Sequence, residues 1–132
     1  MTATVFTFAR PTVRLMSMND RDHWRAHSRD VAAWRAASQF AARGWIFAYS
    51  AGRLARKPFP PAIVATTFDV PDKRRRDPHN YYPTVKAIVD GLVDAGLWPD
   101  DTPEWVTTAE PELRHAPGRR REMTVTVELR PR

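Results

Sequence analysis

Hydrophobic and polar positions alternate over short stretches of this chain and recur with helical spacing over two longer ones. Residues 4–9 are β-branched and aromatic, which favours a first strand ending at Arg10-Pro11. From Asp22 the apolar spacing approaches 3.6 residues, which predicts an amphipathic helix that Gly44 would end. The predicted core-facing stripe of this helix comprises His23, Trp24, His27, Val31, Trp34, Ser38, Ala41 and Trp45.

A second strand and a second helix follow a proline-rich connector at residues 46–61. Residues 62–70 are largely β-branched and apolar, which predicts the strand. Pro83 suits the first turn of the helix, where its missing N–H costs nothing, and Gly96 would end it. One face of this helix is apolar at spacing i, i+3, i+4 and i+7, through Val85, Ile88, Val89 and Leu92.

Two further strands are predicted in the last part of the chain. Residues 104–113 form one of them, and Pro111 shortens it or restricts it to a sheet edge. Residues 122–130 alternate cleanly between apolar and polar side chains and form the other. The order is therefore β-α-β-α-β-β, which predicts a single α+β domain over residues 1–132 with a mixed β-sheet and two main helices.

Basic residues are in excess over acidic ones. The 132-residue chain carries 21 Lys and Arg against 15 Asp and Glu, a formal net charge of +6. All of the basic residues except Lys57, Lys73 and Lys86 are arginine, which makes planar, bidentate contacts with phosphate. The excess favours a polyanionic partner, although GC-rich codon usage also enriches arginine and explains part of it.

Several classes of protein are disfavoured by composition. The chain has no cysteine, which excludes a disulfide scaffold, a cysteine-type zinc finger and a thiol nucleophile. Its apolar runs fall short of the roughly 18 residues that a membrane span needs. The first residues lack the basic and then apolar pattern of a signal peptide. We therefore expect a soluble, cytoplasmic protein without a membrane partner.

Acidic and basic side chains crowd into the loops that flank the second predicted helix. Asp77 and His79 are two residues apart, so in extended backbone they share a face. The helix carries the chain away by about 18 Å, and residues 96–101 span at most about 20 Å. Asp100 and Asp101 can therefore return beside Asp77, within one chain or across a dimer. The alternative interpretation is a solvated loop that holds these charges at random.

Carboxylates that converge in a basic surround suit phosphodiester chemistry. Their oxygens bind a hard divalent cation, which orients water and stabilises the charge that develops on the phosphodiester. Lys86, near the helix N-terminus, is placed to stabilise the pentavalent phosphate or to polarise the attacking water. Asp90 lies four residues after Lys86, so we expect it to form a structural ion pair on the helix surface. Asp72 is expected to be a turn residue after Pro71 rather than a ligand.

The segment PDKRRRDPHN, followed by KAIVDGLVDAGLWPDD, resembles the RusA family of Holliday-junction resolvases, which are small phage- and prophage-associated endonucleases. The family pattern is a basic run, Asp-x-Asp-Asn, a helix with Lys and Asp-x-Leu, a Gly turn and Asp-Asp. The specific match covers about residues 71–101, and the residues after the first strand match more loosely through Asn19, Arg21 and His23. The corresponding residues of the specific match are Arg74-Arg75-Arg76, Asp77, Asn80, Lys86, Asp90-Gly91-Leu92, Gly96 and Asp100-Asp101.

The resemblance implies a homodimer that cleaves four-way DNA junctions with Mg²⁺ as cofactor. It implies catalytic roles for Asp77, Asp101 and Lys86, and metal ligation by Asp77, His79, Asp100 and Asp101. His79 stands where the family has a second aspartate, and imidazole suits Mn²⁺ better than Mg²⁺. His79 is therefore either a ligand that makes Mn²⁺ possible or an exposed phosphate contact.

Contacts with the DNA backbone are predicted for residues 73–80 and for the predicted hairpin loop at residues 115–121. Tyr81 and Tyr82 are expected to pack against a neighbouring strand, with stacking on an unpaired base at the junction as the alternative. The predicted DNA-binding residues are Lys73, Arg74, Arg75, Arg76, Asn80, Arg119, Arg120 and Arg121.

Two functions remain open from the sequence. The first is a divalent-metal-dependent endonuclease that resolves Holliday junctions by paired symmetric nicks, in DNA recombination and repair in a bacterial or phage-infected cell. The second is a non-catalytic, basic α+β module that binds branched or structured nucleic acid, with the acidic residues merely offsetting charge.

Overall fold

The computed structural model describes residues 4–11, 13–18, 24–50, 59–118 and 123–132. Two α-helices and five strands are present in these ranges, and a short 3-10 turn at Pro78–Tyr81 leads into the second helix. The elements are β1 (Thr4–Ala9), α1 (Trp24–Ser50), β2 (Ala62–Val70), α2 (Tyr82–Asp94), β3 (Val106–Thr108), β4 (Glu112–His115) and β5 (Thr124–Pro131).

The five strands form one mixed sheet, which confirms the predicted α+β class. β5 lies between β1 and β2 and is antiparallel to both. β3 and β4 both run parallel to β2, with β3 beside Ala62–Val64 and β4 beside Thr67–Val70. The single strand predicted at residues 104–113 is thus two short strands, because Pro111 has no N–H to continue the ladder between them.

The first helix is longer than predicted, and Gly44 does not end it. α1 continues through Gly44 to Ser50 and so includes residues 46–50 of the predicted connector. Tertiary packing explains the difference, because the last turns bury side chains against the sheet. Trp45 stacks on Phe6 with ring centroids 6.2 Å apart and meets Phe59 edge-on at 5.9 Å. These contacts outweigh the weak helix preference of one glycine.

One position of the predicted core-facing stripe of α1 is wrong, because His27 is exposed. His23 and the side chain of Trp24 lie outside the described residues. Trp34 and Ser38 are fully buried as predicted, and Trp34 meets Phe68 of β2 edge-on at 5.8 Å. The buried side chains of both helices and of the sheet form one hydrophobic cluster.

The two helices approach each other closely at Gly91. A Cβ atom on Gly91 would lie 2.4 Å from the Arg35 carbonyl oxygen and 2.7 Å from Ser38 Cβ, so any larger residue forces the helices apart. Ser38 Oγ donates a hydrogen bond of 2.7 Å to the Ile88 carbonyl. Arg35 forms a bidentate ion pair with Asp94 near the end of α2, with Nη2 2.7 Å from Oδ1. The crossing thus combines backbone contact, a buried hydrogen bond and an ion pair.

Both ends of α2 are also held by local contacts. At the start, buried Thr84 Oγ1 accepts the Met16 N–H at 2.7 Å and donates to the Met16 carbonyl at 2.9 Å. At the end, Gly96 adopts a φ of 95°, which only glycine adopts readily, and the helix stops as predicted. These contacts set the position of every side chain on α2.

None of the helices in the described part of the chain is long and apolar enough to cross a membrane.

Gly91→Ala is expected to destabilise the fold by about 1–3 kcal/mol, because the added methyl group overlaps Arg35 and Ser38. Gly44→Ala is the matched control, since a Cβ there meets nothing within 4 Å. That control should raise stability by up to about 1 kcal/mol through helix propensity alone. Chemical denaturation of both variants at the same low protein concentration measures the difference. Equal effects at the two positions would contradict the close crossing.

Candidate functional site

The segment between β2 and α2 presents Asp77 and His79 on an exposed turn. Asp77 caps the 3-10 turn, because its Oδ1 accepts the His79 N–H at 3.1 Å. The Asn80 N–H donates to the Asp77 carbonyl at 3.0 Å, and Pro78 sits at the first position of the turn. Asp77 and His79 are both exposed, so they are accessible to a ligand. The turn itself is stabilised by one carboxylate oxygen of Asp77.

Lys86 is the centre of a small charge cluster on α2. Its ammonium donates to Asp90 Oδ1 at 2.9 Å and also pairs with Asp101, which lies on the connection after α2. The predicted i, i+4 pair between Lys86 and Asp90 is confirmed. The chain after α2 also turns back far enough to bring Asp101 to the first half of that helix. We name Lys86, Asp90 and Asp101 the lysine cluster.

Lys86 and Asp101 stabilise each other's charged forms. The hydrogen bond from Lys86 is the main cause that lowers the pKa of Asp101 below its usual range. The hydrogen bond to Asp101 is likewise the main cause that raises the pKa of Lys86, with Asp90 adding to it. Lys86 is therefore a cation at neutral pH and cannot act as a proton acceptor there. Its chemical contribution is positive charge at a fixed place.

An open groove of about 440 Å³ lies against the lysine cluster. Lys86 and Asp101 form its polar side, and β3 contributes Thr107 and Thr108. Neither threonine was predicted as a site residue, because a short β-branched run in the sequence indicates a strand and not a binding site. Tyr82 also lines the groove, next to residues of β3, and is 44% exposed, so its expected packing against a neighbouring strand stays a prediction. The groove combines a fixed cation, hydroxyl groups and an aromatic ring.

The predicted metal ligands have suitable chemistry, but the described residues do not gather them into one group. Carboxylate oxygens suit Mg²⁺, and an imidazole suits Mn²⁺. Within the described ranges, no three His, Asp or Glu side chains lie together in a way that could hold a metal ion. Asp100 Oδ1 accepts the Asp101 N–H at 2.7 Å, and Asp101 pairs with Lys86. A metal shared by Asp77, His79 and these two aspartates stays a prediction.

Asp72 organises the basic loop that follows β2. Its Oδ1 accepts the Arg74 N–H at 3.0 Å and pairs with Arg76 Nη1 at 2.8 Å. The hydrogen bond from Arg76 is the main cause that lowers the pKa of Asp72. Asp72 is thus the turn residue that the sequence predicted, and its ion pair keeps Arg76 folded against the loop.

The predicted DNA-binding residues fall into three groups. Lys73, Arg74 and Arg75 are exposed on the loop after β2, whereas the Arg76 side chain is only 8% exposed. Asn80 accepts the Met18 N–H through its carbonyl at 2.8 Å, which ties the turn to the segment before α1. The remaining three, Arg119, Arg120 and Arg121, lie outside the described residues.

Comparison with known proteins adds no relative to this picture. The sequence matches no protein-family model, and no curated protein matches it significantly. The RusA resemblance therefore stays a hypothesis that depends mainly on residues 71–101, and the looser match at Asn19, Arg21 and His23 lies outside the described residues.

Asp101→Asn is expected to lower the pKa of Lys86, because the largest stabilising partner of the ammonium loses its charge. The chain has only three lysines, so NMR titration of the lysine Cε and Nζ signals resolves Lys86 readily. Glu110→Gln is the control, since it removes an equal charge from an exposed position outside the lysine cluster. A Lys86 pKa that is the same in Asp101→Asn and in the control would refute the ion pair.

Proposed function

We propose that this protein is a divalent-metal-dependent endonuclease that cleaves four-way DNA junctions, as the RusA resemblance implies. The observation that best supports the proposal is the lysine cluster, in which Lys86 is held between Asp90 and Asp101 beside an open groove. All three residues belong to the second stretch of the resemblance, residues 86–101, and the fold brings Asp101 back to Lys86 across the end of that stretch.

The charged state of Lys86 suits phosphodiester cleavage. Negative charge builds up on the non-bridging oxygens as a nucleophile attacks phosphorus, and a positioned ammonium stabilises that charge. The two flanking carboxylates limit the rotamers of the lysine, so less ordering is needed at the moment of reaction. Thr107 and Thr108 of β3 also line this groove.

The proposed cofactor is Mg²⁺, or Mn²⁺ if His79 is a ligand. Asp77, His79, Asp100 and Asp101 would hold it, with Asp101 divided between the ion and Lys86. When bound, a divalent cation supplies a polarised water and neutralises charge on the leaving 3′-oxygen. Binding would require the turn at Asp77 and the connection at Asp100 to approach each other.

The basic loop at Lys73, Arg74 and Arg75 supports a nucleic-acid substrate. All three residues are exposed on the segment that leads from β2 to the 3-10 turn and α2. Exposed basic side chains that neutralise phosphates release counterions, so binding should weaken as the salt concentration rises. We propose that Arg119, Arg120 and Arg121 extend this contact.

A homodimer is the proposed assembly, because a four-way junction has two-fold symmetry and paired nicks need two equivalent sites. The exposed face of α1 offers an apolar surface for such a contact. Phe40 and Phe47 are 82% and 76% exposed and lie seven residues apart, on one side of the helix. Two exposed phenylalanines on one face are unusual for a surface without a partner.

A non-catalytic nucleic-acid-binding module is the second candidate function. The ion pair between Asp101 and Lys86 favours this alternative. The ammonium of Lys86 offsets the negative charge of Asp101, and a metal ion would need that charge. In this alternative the lysine cluster is a structural ion-pair network, and the basic loop alone carries the function.

A labelled four-way junction incubated with Mg²⁺, Mn²⁺ or EDTA tests the two functions. The endonuclease should give metal-dependent nicks in symmetric pairs, whereas the binding module should give a stable complex and no product. Asp101→Asn and Asp77→Asn should each reduce cleavage by at least about 100-fold while junction binding is kept. Glu110→Gln, with the same change of charge, should cleave normally. Intact binding without product under every metal would overturn the endonuclease.

His79→Asp is expected to shift the metal preference from Mn²⁺ towards Mg²⁺, because a carboxylate replaces an imidazole in the ligand set. The ratio of cleavage rates in the two metals is the measurement. His115→Asp is the matched control, since His115 is an exposed histidine in β4 that is not a predicted ligand. The same ratio in His79→Asp and in wild type would remove His79 from the metal site.

A further inference from the structure

A second concave site lies beside the segment after β2 and shares no described lining residue with the groove at the lysine cluster. It is a pocket of about 210 Å³ formed where the end of β1, residues 14–17 and the loop after β2 meet. Four arginines line it, and we name it the arginine pocket. Its described lining residues are Arg10, Arg14, Leu15, Ser17, Val70, Pro71, Arg74, Arg76 and Tyr81.

The four arginines reach the pocket from three separate parts of the chain. Arg10 follows β1, Arg14 lies on the segment that leads to α1, and Arg74 and Arg76 belong to the loop after β2. Because these arginines are distant in sequence, it is the tertiary fold that brings them to one pocket. Mutual repulsion opposes the arrangement, and an anion among the guanidinium groups would relieve it.

The nearby acids hold the arginines in place but do not line the pocket. Asp30 of α1 pairs with Arg14 at 3.2 Å, and Asp72 pairs with Arg76 at 2.8 Å. None of the described lining residues is acidic, so the described part of the wall carries four arginines and no carboxylate. The ion pairs therefore hold the guanidinium groups of Arg14 and Arg76 in place at the pocket.

Two of these arginines are deeply set. Arg10 is 8% exposed, and the Arg76 side chain is also 8% exposed and donates to the carbonyls of Asp72 and Arg74. Ordered, weakly hydrated guanidinium groups lose little freedom when they bind an oxyanion, and their planar fork matches a phosphate. Tyr81 adds an aromatic ring and a hydroxyl group to the same wall.

We propose that the arginine pocket binds one phosphate group of a polynucleotide strand and so fixes that strand at a defined point. The ligand chemistry is a phosphate ester, from an internal phosphodiester or from a strand terminus. The inference rests on the nucleic-acid binding of the proposed function but not on cleavage. It predicts that one arginine of the basic loop contributes much more to the binding affinity than its neighbour does. On a diffuse charged surface, the two arginines would contribute about equally.

Arg74 and Arg75 provide the matched pair for the test. They are adjacent and both exposed, but Arg75 lies outside the described lining of the pocket. The Arg74→Gln substitution keeps the backbone N–H and carbonyl that form the loop. Fluorescence anisotropy with a short single-stranded oligonucleotide should show about tenfold weaker binding for Arg74→Gln and less than about threefold for Arg75→Gln. Equal losses in the two variants would overturn the pocket and leave a diffuse basic surface.

Competition with small anions provides the second readout. At constant ionic strength, inorganic phosphate should displace the oligonucleotide from wild type and from Arg75→Gln at lower concentration than chloride does. Arg74→Gln should lose this difference. Oligonucleotides with and without a 5′-phosphate distinguish a terminal phosphate from an internal phosphodiester as the ligand. Only a pocket that binds the terminal phosphate should bind the phosphorylated strand more tightly. No advantage of phosphate over chloride in wild type would refute the proposal.

The outcome is separable from that of the proposed function. If junctions are bound and never cut, a selective loss in Arg74→Gln still supports the pocket. If junctions are cut but Arg74→Gln and Arg75→Gln lose the same binding affinity, the endonuclease proposal is supported and the arginine-pocket proposal is refuted.

Discussion

The direct backbone contact between α1 and α2 at Gly91 is the constraint on which the rest of the structure depends. With no side chain at this position, the Arg35 carbonyl and Ser38 approach α2 at distances that any Cβ would prevent. The hydrogen bond from Ser38 to Ile88 then forms in the buried interface. Lys86 lies five residues before Gly91, about 140° around the helix. The face of α2 that carries Lys86 is therefore directed away from α1, towards the groove bounded by β3.

Acidic residues in this basic protein have two distinct structural tasks. Some of them hold an arginine in a fixed orientation, as Asp30 does for Arg14 and Asp72 for Arg76. Asp69 shows the same principle inside the sheet, where burial alone would raise its pKa. Hydrogen bonds from Thr124 and Arg114 outweigh that burial, and the pKa of Asp69 is lowered. Asp90 and Asp101 differ in that they hold a lysine beside an open groove.

The proposed site is a set of two charged regions separated by the start of α2. On one side, the lysine cluster places an ammonium beside hydroxyl groups and an aromatic ring. On the other side, the arginine pocket gathers guanidinium groups from three parts of the chain. The 3-10 turn with Asp77 and His79 runs between the basic loop and α2. Two of the four proposed metal ligands, Asp77 and His79, lie on this turn.

Local sequence patterns were sufficient to predict the element types, the mixed α+β class, the extent of α2 and the ion pair between Lys86 and Asp90. All of these depend on local spacing, such as the i, i+4 relation and the helix-ending Gly96. Other results depend on tertiary packing. These are the continuation of α1 through Gly44 and the contact of Asp101 with Lys86. They also include the position of Thr107 and Thr108 at the groove, and that of Arg10 and Arg14 in the arginine pocket with Arg74 and Arg76. Each of these results depends on which surfaces pack together, since packing energy exceeds local preference and long-range contacts leave no periodic pattern in the chain.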